Sequence, residues 1–240
     1  MSGEQALRRS VVVIMAKHPE VGRTKTRLCP PLSPSGAAEL YEALLNDTIA
    51  LVSRLQGIRL AVAVTPAAAV TAWRPGVPEG ALLLPVEGAD IGVCLSQATG
   101  HLFAEGFSRV LALNSDGPTL PAAHIERAEA LLERSDVVLG PSEDGGYYLV
   151  GLRRPSPDLF RDIAWSTACV MAQTLDRAAA LGLSVALLPS WYDIDTAADL
   201  ERLRAELACL PPHTLAWTRR FFVQHEVPSG MALDASRLPG

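Results

Sequence analysis

The sequence lacks the usual catalytic and cofactor signatures. It has no C-x-x-C pair, no G-x-S-x-G nucleophile elbow, no Walker-type phosphate loop and no G-x-G-x-x-G fingerprint. Hydrolase, P-loop and dinucleotide readings therefore lose their customary anchors. The four cysteines, Cys29, Cys94, Cys169 and Cys209, are far apart and mostly in apolar stretches, so they read as reduced, partly buried thiols of a cytoplasmic protein. Positive charge is also scarce. Twenty-one Lys and Arg against 26 Asp and Glu leave a net charge of −5. That excludes a broad basic surface for nucleic acid, although one local cluster can still hold phosphates. The apolar run Val11 to Ala16 is too short to span a bilayer, and Arg8 and Arg9 before it do not make a signal peptide, so neither export nor membrane anchoring is expected. The histidines, His18, His101, His124, His213 and His225, show no metal-ligand spacing.

What is present is a chain of 240 residues, 49% hydrophobic and 20% charged, enough for one large α/β domain. Ser10 to Ala16 is a β-branched run of the kind found in a strand buried on both faces. Ser33 as N-cap and Pro34 at the first position open a helix to about Leu55, with apolar residues at helical spacing from Leu40 onward. Further strands are expected at 58–65, 81–86, 110–114, 137–140, 147–152 and 184–188, and helices at 91–105, 121–133, 168–181 and 197–207. Such alternation predicts a largely parallel, doubly wound sheet. Residues 1–209 form the domain on this reading. Residues 210–240, with Trp217, Phe221 and Phe222 as apolar anchors, form an arm that docks on the domain or on a partner subunit of a homodimer.

In an open α/β sheet ligands bind beyond the carboxyl ends of the strands, and polar residues mark four such places here. The loop after the first strand carries Arg23, Lys25 and Arg27 beside Gly22, cations that suit a diphosphate or triphosphate. A solvated charge run is the alternative. Asp116 in N-S-D-G-P stands where a carboxylate and phosphate oxygens together can hold Mg²⁺ or Mn²⁺, or where it simply shapes a turn. Asp193 and Asp195 point the same way in an extended segment, although Asp195 or Thr196 can equally cap the last helix. Asp199, in that helix's first turn, reads as structural. In P-S-E-D-G-G, Glu143 and Asp144 precede Gly145 and Gly146, whose backbone can approach a ligand closely. Asp144 there can bind an acceptor hydroxyl, help position a metal or act as a base; a plain hairpin turn looks alike. Ser166 or Thr167 in W-S-T is expected to cap the next helix, whose N-terminus can receive an anionic acceptor.

Five motifs in order, K-H-P-E-V-G-R-T-K-T-R-L, L-N-S-D-G-P-T-L-P, V-V-L-G-P-S-E-D-G-G-Y-Y-L-V-G-L, W-S-T and D-I-D-T-A-A-D-L, resemble the bacterial radical-SAM/selenodomain-associated (arsenosugar-biosynthesis type) glycosyltransferase-like family. The match spans about residues 11–208. The K-T-R-L loop is also similar to that of 2-phospho-L-lactate guanylyltransferases. The resemblance implies an α/β fold of the nucleotide-diphospho-sugar transferase (GT-A-like) type, three layers around a mostly parallel mixed sheet. It further implies phosphate contacts from Arg23, Lys25 and Arg27, a Mg²⁺ or Mn²⁺ ion on Asp116 and Asp195, and Gly88 and Asp90 where a nucleobase or ribose is read. Asn114 departs from a D-x-D metal motif. The implied chemistry is metal-dependent transfer from a nucleotide sugar or a nucleoside triphosphate to a small acceptor, with Asp116, Asp144 and Lys25 as the catalytic set. Glycosyl transfer leads, nucleotidyl transfer is the alternative, and a silent nucleotide-binding protein on the same fold is the third reading.

Overall fold

The computed structural model describes residues 10–73 and 76–225. The leader with Arg8 and Arg9, and the P-S-G and L-P-G stretches of the tail, lie outside the described residues. The chain runs β1 (Ser10–Lys17), α1 (Pro34–Ser53), β2 (Ile58–Thr65), β3 (Leu82–Pro85), α2 (Ile91–Ala104), β4 (Arg109–Leu113), α3 (Ala122–Leu131), β5 (Val137–Pro141), β6 (Tyr147–Leu152), α4 (Val170–Ala180), β7 (Val185–Leu187), α5 (Ala197–Cys209) and α6 (Ala216–Gln224). The seven strands form one sheet in the order β3-β2-β1-β4-β6-β5-β7.

β1 is apolar from Val11 to Ala16 because both of its faces are covered. Val12 and Ile14 join a core with α1 and α3, whereas Val11 and Val13 join a second core with α2 and α4. These two cores make three layers, helices on either side of the sheet. A third cluster, including Leu28, Leu40, Leu44, Ile194, Leu203 and Phe221, ties α1, α5 and α6 together below the first loop.

β1 pairs in parallel with β2 and β4, as do β2 with β3 and β5 with β7. The exception to the expected doubly wound alternation is β6, which lies antiparallel between β4 and β5. The P-S-E-D-G-G connection contains no helix, and a turn that short can only send the chain back. The reversal has a use: it brings the first residue of β6, Tyr147, to the same sheet edge where β1 and β4 end.

Local chemistry sets the helix starts. Ser33 accepts from the Gly36 amide at 3.1 Å, with Pro34 at the first position. The helix expected from about 168 begins instead at Val170, and neither Ser166 nor Thr167 caps it. Thr167 Oγ1 donates back to the Ala164 carbonyl (2.7 Å), and Ser166 has left-handed backbone (φ 61°), so the W-S-T segment is a turn of its own. The buried Asp47 of α1 accepts from the Thr218 and Trp217 amides (2.8 and 3.3 Å), capping α6 from a distant helix.

Candidate active site

The loop leaving β1 is wound tightly. Thr24 is buried and its hydroxyl accepts from the Glu20 amide at 2.8 Å. Lys25 follows in left-handed backbone (φ 49°), and the one-turn helix Thr26–Leu28 then buries Leu28. For a non-glycine residue this conformation is strained, and its effect is to turn the Lys25 side chain inward. Only 8% of that side chain is exposed; Nζ donates to Asp116 Oδ2 at 2.6 Å and to Asp195 Oδ1 at 2.5 Å. Two carboxylates from different strand ends thus meet on one ammonium. Burial opposes the charge on Lys25, but Asp116 and Asp195 outweigh it and lift the pKa above the ordinary lysine value, so the group is cationic at neutral pH. Arg27 stands at the exposed rim, Nη1 3.8 Å from Asp195 Oδ2. Arg23 points away and pairs with Glu20 on the surface.

Hydrogen bonds fix the acidic residues. The buried Tyr41 hydroxyl of α1 accepts from the Lys17 amide and shares a hydrogen bond with Ser115 Oγ, both at 2.9 Å, so the end of β1 and the Asp116 turn are tied through one side chain. Burial pushes the Tyr41 phenol up to about 12. The Ile194 amide donates to the Asp116 carbonyl (3.2 Å), joining the two acidic segments directly. Thr196 caps α5 in a reciprocal box with Asp199. That leaves Asp195 one residue outside the cap, with its carboxylate free to face Lys25. Asp193, two residues earlier, is held differently. It accepts from the Asn114 side-chain amide and from Ser142 Oγ (3.1 Å), and burial, reinforced by the nearby Asp116 charge, pushes its carboxyl up to about 7. Asn114 therefore donates a hydrogen bond where a D-x-D aspartate would repel.

Of these groups, Arg27, Asn114, Ser115, Asp116 and Asp195 line a cavity of about 540 Å³. Of the residues expected from sequence, Arg27, Asp116, Asp144, Gly146, Ser166, Thr167 and Asp195 line it, with Lys25 between the two carboxylates. Asp144 accepts from the Gly146 amide (2.9 Å), while Glu143 turns outward to Arg202. Gly145 does not line the cavity. Its φ of 90° and the closeness of the Ala168 backbone leave no room for a Cβ, so it serves the packing of the turn. Gly88 and Asp90 also lie outside the lining, and Asp90 caps α2 through the Val93 amide at 2.9 Å. Met15, Ile91, Leu95, Tyr147, Val150 and Trp165 supply the bulk of its apolar lining. Trp165 meets Tyr147 edge-on at 6.3 Å and passes so close over Gly92 that only glycine fits there. Sequence reasoning missed Tyr41, Ile91 and Leu95. Tyr41 reads as an ordinary member of an apolar helix stripe, and the first turn of α2 has no polar signal. Among the described residues, no group of three or more His, Cys, Asp and Glu is arranged to hold a metal, and no helix is long and apolar enough to cross a membrane.

Comparison with known proteins places this site in a family context. Residues 48–167, half of the chain, match the family model described as "Uncharacterized protein conserved in bacteria (DUF2064)". The chain is 32% identical over 181 residues to a 2-phospho-L-lactate guanylyltransferase of Methanothermobacter thermautotrophicus, a match covering 73% of this chain and 76% of that protein. A crystal structure from Desulfovibrio desulfuricans G20, assigned as a nucleotide-diphospho-sugar transferase, superposes with a TM-score of 0.79 at 30% identity, covering 90% of this chain and 98% of that one. The structure of a CMP:2-keto-3-deoxy-manno-octonic acid synthetase complexed with CTP shares the fold alone, with a TM-score of 0.53 at 15% identity over 84% of this chain and 99% of that one.

Proposed function

The chain belongs to the DUF2064 family, and from that premise we propose that it is a nucleotidyltransferase, joining a nucleoside triphosphate to a phosphorylated small molecule with release of pyrophosphate. The observation that carries this reading is Lys25, buried between Asp116 and Asp195 at the carboxyl edge of the sheet, with Arg27 at the rim. The relationship to a guanylyltransferase over most of both chains supports it.

In this reaction an acceptor phosphate oxygen attacks the α-phosphorus, the bond to the β-phosphate bridging oxygen breaks, and pyrophosphate departs; no protein nucleophile is needed. The protein's part is to position the reactants and stabilise charge. Arg27 and Lys25 neutralise the triphosphate and the leaving pyrophosphate. Asp144, in the cavity lining, orients the acceptor.

The donor set fits Mg²⁺ or Mn²⁺, since these ions take one or two carboxylates and complete their shell with phosphate oxygens and water. Asp116 and Asp195 are the residues that would hold the ion, and bound there it would supply positive charge to the phosphates. Their present partner is an ammonium, a cation standing between the same two oxygens.

A second reading, glycosyl transfer from a nucleotide sugar, draws on the likeness to the Desulfovibrio protein and on the Asp144 carboxylate facing the cavity. Thermal-shift measurements with nucleoside triphosphates and nucleotide sugars, each with and without Mg²⁺ or Mn²⁺, separate the two, because a ligand selective for the folded state raises its stability. Nucleotidyl transfer predicts metal-dependent stabilisation by a triphosphate and pyrophosphate release once an acceptor is added. Stabilisation by nucleotide sugars with none by any triphosphate would transfer the conclusion to the second reading.

A further inference from the structure

Asp116 Oδ2 and Asp195 Oδ1 hold one cation between them. It is the Lys25 ammonium, at 2.6 and 2.5 Å, on a side chain only 8% exposed. The remaining oxygen of Asp195, Oδ2, faces the Arg27 guanidinium at 3.8 Å. Three of the four oxygens of this pair thus already face a protein cation. A Mg²⁺ ion bridging the two carboxylates needs their oxygens at about 2.0–2.1 Å, which would bring it to Nζ at or inside contact distance. Two cations so close, beside a side chain largely shielded from water, repel strongly. The ammonium and the ion are therefore alternative occupants of the same two oxygens.

An exchange between them falls to the Lys25 side chain, because its backbone is anchored. The Leu28 amide donates to the Lys25 carbonyl at 2.9 Å, Leu28 is fully buried, and the Thr24 hydroxyl ties the preceding turn to the Glu20 amide. The flexible carbon stem lets the ammonium swing while the loop stays in place. Pulled off the carboxylates with nothing to receive it, the ammonium would be an unpaired charge in a largely buried position, which is strongly unfavourable. A bare ion gives it no new partner and must itself shed tightly held water. A triphosphate removes both obstacles, since its oxygens can receive the ammonium and complete the shell of the ion. We propose that Lys25 is an exchangeable placeholder on Asp116 and Asp195: it keeps the bare ion out and yields only to a triphosphate, so that ion and nucleotide enter together. This rests on the nucleotidyl-transfer reading and adds the order in which that site fills. By linkage, ion and triphosphate each raise the other's affinity by the same factor, and Lys25 is a source of that factor.

The test is Mn²⁺ binding to the full chain without nucleotide, followed by electron paramagnetic resonance of the free ion. Lys25→Met keeps most of the stem and removes the charge, and is expected to bind Mn²⁺ at least about tenfold more tightly than the unaltered protein. Arg27→Met removes one charge from the exposed rim and should improve Mn²⁺ binding by about threefold or less. A Lys25 that only touches phosphates predicts equal Mn²⁺ affinities. No gain in Lys25→Met, whether both proteins bind Mn²⁺ or neither does, overturns the proposal, as does an equal gain in Arg27→Met. A second measurement needs no variant. With isotope-labelled lysine nitrogen in the unaltered protein, the Lys25 Nζ resonance should move on addition of Mg²⁺ with a non-hydrolysable triphosphate analogue and stay in place with the same Mg²⁺ alone. Movement with Mg²⁺ alone overturns the proposal. Calorimetry of the analogue in Mg²⁺ separates the two levels: bound analogue with an unmoved Lys25 resonance overturns the exchange and leaves nucleotidyl transfer standing, whereas an analogue that does not bind removes the nucleotidyl-transfer reading and this proposal with it.

Discussion

Asp195 and Asp193 are two residues apart, both at the carboxyl edge of the sheet, yet the protein treats them in opposite ways. Asp195, with Asp116, is satisfied by charge, through the ammonium of Lys25. Asp193 is satisfied by neutral donors, the Asn114 amide and the Ser142 hydroxyl, and its carboxyl is pushed up to about 7. One region is an ion bridge open to the cavity; the other is a hydrogen-bonded brace behind it. A carboxylate's neighbours, more than its place in a motif, decide whether it is available to a ligand.

Replacing the bridging cation should break this contrast most severely. Lys25→Met leaves Asp116 and Asp195 facing each other without a counter-charge and takes a cation from the triphosphate. Turnover is expected to fall about 100- to 1000-fold, the usual cost of removing one donor to developing charge. The melting temperature should fall in metal-free buffer and recover on addition of Mg²⁺, which can take the ammonium's place; scanning fluorimetry with and without chelator reads both effects. In the unaltered protein the bridge should survive into strongly alkaline solution. A lysine raised in the folded state contributes fully below its ordinary pKa and loses that contribution only as pH climbs through the raised value.

Asp116→Asn and Asp195→Asn test the same end from the acidic side. Each keeps its shape and loses its charge, so metal-dependent triphosphate binding is expected to weaken by about tenfold or more, measured by calorimetry in Mg²⁺. Because Thr196 already holds the cap of α5, the Asp195 variant should keep its helix, as circular dichroism would report.

Asp193→Asn sharpens the comparison by removing a titration. In the unaltered protein this carboxyl rises from about 3.8 to about 7, so across that range the folded state keeps a proton the unfolded chain has lost. Its contribution to stability therefore declines as pH rises from about 4 to about 7 and is level above. The variant should lack that decline. Urea denaturation at pH 5 and pH 8 should show it gaining on the unaltered protein at the higher pH, and a parallel dependence in both proteins would count against the brace assignment.

The smallest effect lies away from the cavity. Asp47→Ala leaves the Trp217 and Thr218 amides at the start of α6 without their acceptor, which should cost about 1–3 kcal/mol in chemical denaturation while triphosphate affinity stays unchanged.

Much of the fold is legible in the sequence because its cues are local. The β-branched run of β1, the Ser33–Pro34 start of α1 and the apolar spacing of the helices each depend on a few neighbouring residues. The direction of β6 is less legible, since a short polar turn and a longer crossover differ only in what intervenes, and the choice is made by pairing with β4. The late start of α4 is lost for a similar reason: Thr167 satisfies a turn carbonyl instead of the helix, a preference invisible until the turn is built. In the site, polarity after a strand end marks Lys25, Asp116, Asp144 and Asp195. It cannot mark Trp165 or Leu95, whose apolar side chains look like core in any one-dimensional reading. Nor does it show that Asp90 is engaged in capping α2.

The Lys25 bridge joins positions 91 and 170 residues apart in the chain. During synthesis the lysine emerges early and its second carboxylate comes only after β7, close to the start of the last long helices. Contacts so distant in sequence close late, after nearer ones have formed. An unfinished chain can therefore hold the basic loop and even a paired β1 without possessing the centre, and the cavity acquires its charge pattern only when the domain is nearly whole. Competence at this site is a property of the completed chain, acquired at the end of folding.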